Sequence, residues 1–403
     1  MPPKTVARFP SGVVTAPPSK SLSHRAVICA ALAGGRSVLE NLGRSQDIDA
    51  TVRCMSALGA SFSRDGDGVA VDGSDTPTSA SDGAVLDCGE SGSTLRFLLP
   101  IAALSAGETR FTGQGRLMER PMEPYADAFA ARGASLIREQ GGLTVRGPLT
   151  AGSFALPGDV SSQFVSGLLF ALPLLDGNSE IVVRSPLESA SYVDLTLSCL
   201  KDFGVSVTNE QYQRFTIQGG QPYRPRRHRI EGDYSQAAFF LVAAALGADV
   251  EVRGLRQDSL QGDRKILDLI QLSALHSPLS TLTIDVRDVP DLVPPLAVLL
   301  ALREGVSELT NAARLRLKEC DRLTAVTREL NALGARIEER EDALIITGVP
   351  ELTGGHVHAW GDHRIAMMAA VAAIRAKGPV TVDDPDCVAK SYPNFWTDFE
   401  VTP

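Results

Sequence analysis

The chain has 403 residues, too many for one ordinary hydrophobic core, which predicts two large domains or a long array of repeats. A hydrophobic content of 44% with 22% charged residues excludes a disordered chain. With 39 Lys and Arg against 48 Asp and Glu, the net charge is −9, which argues against a nucleic-acid-binding protein with its basic face. The longest apolar runs, such as residues 237–248, fall short of the roughly 18–20 residues that span a bilayer. The opening MPPKTVARF lacks an apolar signal core, and the six cysteines (29, 54, 88, 199, 320 and 387) show neither CxxC nor metal-ligand spacing. They read as buried thiols, and the expected compartment is the cytoplasm.

In chain order, one pattern returns six times: a short polar cluster followed by a helix of small apolar residues. It opens as SKSLSHR at 19, GESGSTLR at 89, GDVSSQF at 158, GDYSQAAFF at 232, PDLVPPL at 290 and GDHRIAM at 361. Anchored at Lys20, Glu90, Asp159, Asp233, Asp291 and Asp362, the steps are 70, 69, 74, 58 and 71 residues, so six units account for the chain. Between them run amphipathic segments that close on a glycine and a strand start, at 48–62, 124–136, 192–207 and 321–337. Alternating runs at 143–147, 215–219 and 343–348 read as strands. Each unit is expected to be strand–helix–strand–helix–strand–strand, an α/β architecture. The competing reading is the loose self-similarity that any α/β chain yields. The basic, proline-containing stretch PYRPRRHRIE at 222–231 is the linker candidate, separating three units from three. Taken with the turn at 17–19, it divides the chain into residues 1–17 plus 230–403 and residues 18–229.

Each polar cluster opens a helix, whose free N–H groups and partial positive charge attract anions. Simple N-capping by Ser or Asp explains any single cluster equally well. Capping does not explain the cations at these turns: Lys20, Arg25, Arg96, Arg120, Arg322, Arg364 and Lys390. The planar guanidinium suits carboxylate and phosphate, so several of them beside Gly and Ser point to a multiply anionic substrate. A GxxxxGK[ST] nucleotide loop is absent, which argues against nucleotide hydrolysis. Acid–base candidates lie in the second half. Asp291 sits between prolines in DVPDLVPPL, and KECDR (318–322) sets Glu319 among cations, where it stays ionised and suits a proton acceptor. KECDR also reads as an ordinary charged helix start. His356 and His358 form an HxH pair with no third ligand, more simply an exposed strand, and no metal is expected.

Taken together, SKSLSHR (19–25), SGSTLR (91–96), ERPMEP (119–124), GDVSSQF (158–164), LRLKECDRL (315–323), GDHRIAM (361–367) and AKSYPNF (389–395) resemble the 5-enolpyruvylshikimate-3-phosphate synthases. The likeness runs in order through nearly the whole chain. It implies an inside-out α/β barrel pair, three repeats per domain, with the active site between the domains. The implied reaction moves the enolpyruvyl group of phosphoenolpyruvate to the 5-hydroxyl of 3-phosphoshikimate and releases phosphate, by addition and elimination, with no cofactor. It belongs to chorismate and aromatic amino acid biosynthesis, and members of the family are inhibited by glyphosate. The same resemblance assigns Lys20, Ser21, Arg25, Ser161, Ser162, Gln163, Ser189, Tyr192, Asp291 and Lys318 to 3-phosphoshikimate. It assigns Lys20, Gly92, Arg120, Gln163, Arg322, Arg364 and Lys390 to phosphoenolpyruvate. Asp291 would take the hydroxyl proton, and Glu319 and Lys20 would serve proton transfer and charge. A monomer binding only small molecules is expected from the family's habit.

Three positions depart from the commoner pattern: Glu90 in place of Asn, Arg314 in place of Asn or Glu, and Cys320 in place of Ser or Thr. Glu90 and Arg314 are therefore not assigned to ligands. Two rival readings stand beside this one. The sister transferase acting on UDP-N-acetylglucosamine carries a cysteine on a mobile loop, yet the loop GQGRLMERP (113–121) has none. A non-catalytic anion-binding scaffold would not need the matched acids and bases.

Overall fold

The recurrent small-residue segments form helices in the computed structural model, which describes residues 2–7, 9–74 and 83–400. They are Lys20–Ala31, Gly92–Ala102, Ser162–Ala171, Tyr234–Ala245, Val293–Ala301 and His363–Ala372. Five start on a side-chain cap, with Ser19, Ser91, Ser161, Asp233 and Asp362 each accepting a backbone N–H of the first turn. Such a cap contributes about 1 kcal/mol. The sixth is different. Val293–Ala301 follows the turn Pro290–Leu292, and its cap position is Leu292, which has no side-chain oxygen. The carboxylate of Asp291 is thus not used to cap this helix.

These helices are buried on every side, as Ala26–Ala31 and Ile365–Ala372 illustrate, whereas several strands alternate. Leu282–Asp285 and Arg214–Ile217 each bury every second residue and expose the others. A helix that is apolar all round belongs inside, and an alternating strand belongs at the boundary with water. Helices within and sheets outside are the inside-out α/β arrangement. Gly167 shows how tightly the helices close: a Cβ there would lie 2.1 Å from the Tyr125 hydroxyl and 2.4 Å from the Arg96 carbonyl.

The chain divides into two compact units, a discontinuous one of Met1–Pro17 with Gly232–Pro403 and a continuous one of Pro18–Glu231. Each has its own apolar core. In the continuous unit three four-stranded sheets repeat one order. Ala84–Asp87 runs parallel to Glu108–Thr112, followed by antiparallel Gly142–Arg146 and then Ser135–Glu139. Ser153–Leu156, Ser179–Val183, Arg214–Ile217 and Val207–Glu210 do the same. The third sheet draws its first strand from the unit's far end: Arg227–Arg229 pairs with Gly35–Glu40, ahead of Gly68–Gly73 and Ser61–Asp65. The stretch 222–231 is therefore a strand and its approach, not a free linker, and the Tyr223 hydroxyl anchors it to the Phe170 carbonyl at 2.8 Å.

The discontinuous unit keeps that order once, in Leu282–Asp285, Val306–Thr310, Leu344–Thr347 and Arg336–Glu339. Among the described residues Gly12–Thr15 pairs only with Val250–Arg253, because no hairpin intervenes between the helix Ile266–Leu275 and Leu282. That missing hairpin accounts for the short 58-residue step from Asp233 to Asp291. Lys4–Thr5 pairs antiparallel with Val380–Val382, which also runs parallel to Gly355–Val357. Among the described residues the full six-element unit is thus complete in four of six repeats. No helix among them is long and apolar enough to cross a membrane.

Candidate active site

In the discontinuous unit, three helix starts bring charge together. Asp291 lies in the turn before Val293–Ala301, Lys318 and Glu319 precede Arg322–Ala332, and Arg364 lies in the first turn of His363–Ala372. Within KECDR, Asp321 takes the capping role, accepting Thr324 N–H at 3.2 Å, which leaves Glu319 for a cation. Arg322 is the hub. It donates through Nε to Asp362 at 2.7 Å, through Nη1 to Asp291 at 2.8 Å and through Nη2 to Glu319 at 2.6 Å. Arg364 donates to the Asp291 carboxylate at 3.2 Å and to the Ser235 hydroxyl at 2.7 Å, and Lys318 reaches Asp291 at 3.4 Å. Lys390 is buried at the end of the turn Pro385–Lys390. Its neighbour Ser391 accepts from Gln236 at 3.0 Å.

Burial pushes the Asp291 carboxyl up, but Arg364, Lys318 and Arg322 outweigh it and hold it well below the usual carboxylate range. Burial likewise would lower Arg322, yet Asp362, Glu319 and Asp291 raise it well above its ordinary value. Lys318 is lowered, first by burial and then by Arg322 and Arg314 against the pull of Asp291. Behind this cluster, burial and the charge of Asp291 push the Asp263 carboxyl up to about 7. Cys320 donates to Asp362, across 3.5 Å.

The continuous unit assembles a second cluster. Lys20, Ser21 and Arg25 share the first two turns of Lys20–Ala31, where Lys20 pairs with Asp47 at 2.9 Å. Arg25 is buried and donates to three neutral acceptors: the Ser21 carbonyl at 2.6 Å, the Tyr192 carbonyl at 2.8 Å and the Thr196 hydroxyl at 2.8 Å. Burial lowers this guanidinium to about 10. Ser189 sits buried at the start of Ala190–Asp202 with a left-handed φ of 56°, a conformation that a non-glycine residue holds only under constraint. Ser161 caps Ser162–Ala171. Ser162 is buried beside it, and Gln163 bridges two elements, donating to Ser93 at 2.9 Å and accepting from Arg96 at 2.8 Å. Gly92 faces Arg120 so closely that a Cβ would lie 2.6 Å from its Nη1.

In the discontinuous unit Asp291, Lys318, Glu319, Arg322 and Arg364 thus form one cluster, and in the continuous unit Arg25 joins Ser21 to Tyr192 while Gln163 joins Ser93 to Arg96. Several partners escaped the sequence reading. The Asp362 carboxylate anchors both Arg322 and Arg364, accepting from the Arg322 guanidinium at 2.7 Å and from the Arg364 backbone N–H at 2.9 Å. Its signal was present, since it anchors the sixth repeat. Ser235, Asp263, Asp47 and Thr196 carried no such signal. His356 is exposed on its strand, and His358 Nδ1 lies 2.5 Å from Asp383 Oδ2. Among the described residues no group of three or more His, Cys, Asp or Glu is disposed to hold a metal ion.

Repeated βα units with helices inside, cationic helix starts and a half-buried carboxylate ringed by guanidinium and ammonium groups define a protein that handles small multiply charged anions. Residues 8–399 match the family model for EPSP synthase (3-phosphoshikimate 1-carboxyvinyltransferase), and the chain belongs to that family. A 3-phosphoshikimate 1-carboxyvinyltransferase of Clostridium beijerinckii is 47% identical, over 97% of this chain and 94% of its own. One from Clostridium perfringens is 44% identical, over 96% and 95%. A solved EPSP synthase from Acinetobacter baumannii superposes with a TM-score of 0.79 at 26% identity, covering 98% of this chain and 97% of its own.

Proposed function

We propose that this chain transfers the enolpyruvyl group of phosphoenolpyruvate to the 5-hydroxyl of 3-phosphoshikimate and releases phosphate, a step of aromatic amino acid biosynthesis. The observation that carries the reading is the ring of Arg322, Arg364 and Lys318 around Asp291, all within 3.4 Å. In this reading Asp291 accepts the proton of the attacking hydroxyl, and Glu319 and Lys20 serve the proton that the methylene carbon gains and then loses. Both transfers are general acid–base steps between groups held in place.

The electrostatics give the base a condition for acting. With three cations upon it, the Asp291 carboxylate has little affinity for a proton. A substrate carboxylate or phosphate that engages Arg364 draws its charge away from Asp291, and the proton affinity of Asp291 rises as the reactants arrive. Arg120, Gln163, Gly92 and Lys390 complete the phosphoenolpyruvate contacts in this assignment. Ser21, Arg25, Ser161, Ser162, Ser189 and Tyr192 hold 3-phosphoshikimate. We keep a monomer in the cytoplasm as part of the reading. Phosphate release, measured with each substrate alone and with both, tests it: release should require both. Release with UDP-N-acetylglucosamine in place of 3-phosphoshikimate, or none with either acceptor, would overturn the assignment.

A further inference from the structure

The continuous unit contains a buried histidine that the proposed chemistry does not use. His24 lies in the second turn of Lys20–Ala31 and is 1% exposed. Its Nδ1 is 2.7 Å from Thr51 Oγ1, Thr51 Oγ1 is 2.7 Å from Thr94 Oγ1, and Thr94 Oγ1 is 2.7 Å from Ser91 Oγ. Four side chains therefore form one hydrogen-bonded file. Both threonine hydroxyls also lie 3.4 Å from the Asp47 carbonyl. The file joins the starts of three helices: Lys20–Ala31 through His24, Gln46–Ala57 through Asp47 and Thr51, and Gly92–Ala102 through its cap Ser91 and Thr94.

The other ring nitrogen of His24, Nε2, is buried with no hydrogen-bond partner among the described residues. Burial, followed by Lys20 and Arg25, holds the imidazole well below its ordinary value, so it is neutral. One of its nitrogens then carries a proton and the other does not. A buried N–H without an acceptor is rarer in folded proteins than an under-satisfied acceptor. The proton therefore belongs on Nδ1, and the file has a direction: His24 donates to Thr51, Thr51 to Thr94, and Thr94 to Ser91. Ser91 in turn accepts the Thr94 backbone N–H at 3.2 Å, which closes the first turn of the helix that Gly92 begins. An apolar side chain would fill the place edge-on to Phe97, 6.5 Å away, without leaving a nitrogen unsatisfied. Packing alone does not explain the imidazole.

We propose that His24, Thr51, Thr94 and Ser91 form a directional positioning relay that fixes Gly92 relative to Lys20 for phosphoenolpyruvate. Asp47 supplies the second end: its carboxylate holds Lys20 at 2.9 Å while its carbonyl lies against both threonines. None of the four is among the residues assigned to either substrate. The inference rests on the assignment of Gly92 and Lys20 to phosphoenolpyruvate given above.

The test uses the full-length enzyme. Thr94→Val and Thr51→Val keep the shape and remove a hydroxyl, whereas Thr94→Ser keeps the hydroxyl. The valine variants should raise KM for phosphoenolpyruvate about 10-fold, with KM for 3-phosphoshikimate and kcat within about 3-fold, and Thr94→Ser should restore the wild-type value. Nitrogen-15 spectra of histidine-labelled protein, assigned with His24→Gln, should show His24 neutral with the proton on Nδ1. An Nε2-protonated ring, valine variants with a wild-type KM, or a Thr94→Ser enzyme as impaired as Thr94→Val would each overturn the relay. If Thr94→Val fails to fold, Thr51→Val and the wild-type spectrum decide. Gly92→Ala separates the two levels of the argument. If it raises that KM and the valines do not, the relay falls alone; if neither does, the phosphoenolpyruvate assignment falls and takes the relay with it.

Discussion

The two clusters hold their arginines in opposite ways. In the discontinuous unit Arg322 is neutralised by three carboxylates, those of Asp291, Glu319 and Asp362. In the continuous unit Arg25 rests on two carbonyls and a hydroxyl, and Arg96 on the Gln163 amide oxygen. A guanidinium held by neutral acceptors keeps its whole charge for an incoming anion. One held by carboxylates gives up little field until a substrate competes for it. On the proposed assignment the continuous unit is a ready anion receptor, and the discontinuous unit holds a charge-paired cluster that substrate unbalances. Such a balance suits proton transfer, because the proton affinity of Asp291 depends on where its cations are engaged.

The largest expected effect strikes the balanced side. Asp291→Asn keeps the size of the group but cannot take a proton, so turnover should fall by about 10²–10⁴-fold while both substrates still bind within a few-fold. Steady-state kinetics beside calorimetric titration of 3-phosphoshikimate would check it. Near-normal turnover would remove Asp291 from the chemistry.

Next in size is a matched pair of substitutions that measures the contrast itself. Arg322→Met removes the buried cation that Asp291, Glu319 and Asp362 share and should cost about 3–5 kcal/mol of stability. Arg25→Met leaves only neutral acceptors unmade and should cost about 1–3 kcal/mol. Denaturant unfolding of the two variants gives the difference directly, and equal losses would show that the two environments are not distinct.

The buried carboxyl of Asp263 beside Asp291 also predicts a pH dependence. The Asp263 carboxyl moves from its ordinary 3.8 up to about 7 in the fold, through burial and the charge of Asp291. The unfolded chain releases this proton above about pH 4 and the folded chain keeps it until about pH 7, so folding stability declines between those values and is level above them. The ceiling of that decline is about 4 kcal/mol. Asp263→Asn can still accept from Ser235 and has no charge to bury. It should therefore unfold at a higher temperature than the wild type at pH 8, with the gap closing toward pH 5. A gap independent of pH would assign its effect to packing.

Much of this is legible in the amino-acid sequence. The six-fold recurrence marked the interior helices, because a helix without a polar face announces burial in its composition alone. Charged residues at turns marked most of the two charged clusters, since Lys20, Arg322 and Arg364 stand where capping has no use for a cation. What stayed hidden depended on contacts remote in sequence. Asp47 and Thr51 stand in an ordinary amphipathic helix, and only packing brings them to Lys20 and Thr94. Strand Arg227–Arg229 read as a linker because its partner Gly35–Glu40 lies about 190 residues earlier, and three basic residues in a row show no apolar alternation. The missing hairpin after Ile266–Leu275 left its mark only as a shortened interval.

The smallest expected effect falls on the receptor side, at Gly92. Its backbone conformation does not demand glycine; what demands it is Arg120, whose Nη1 would lie 2.6 Å from a new Cβ. Gly92→Ala must therefore move a flexible guanidinium end rather than backbone, so the fold should survive. Phe97 does not already crowd this place, because it is buried among Phe170, His24 and the Arg25 guanidinium. We expect the enzyme to be sensitive to glyphosate, which is slightly longer than phosphoenolpyruvate and occupies its place in the family. A methyl group and a displaced Arg120 intrude on the longer ligand first. An intrusion of one methyl typically discriminates by about 10–200-fold, or about 1–3 kcal/mol. Gly92→Ala should accordingly lose most of its inhibition by glyphosate while keeping measurable turnover. Inhibition constants for the two enzymes decide the matter, and equal values would show that Gly92 does not line the phosphoenolpyruvate site.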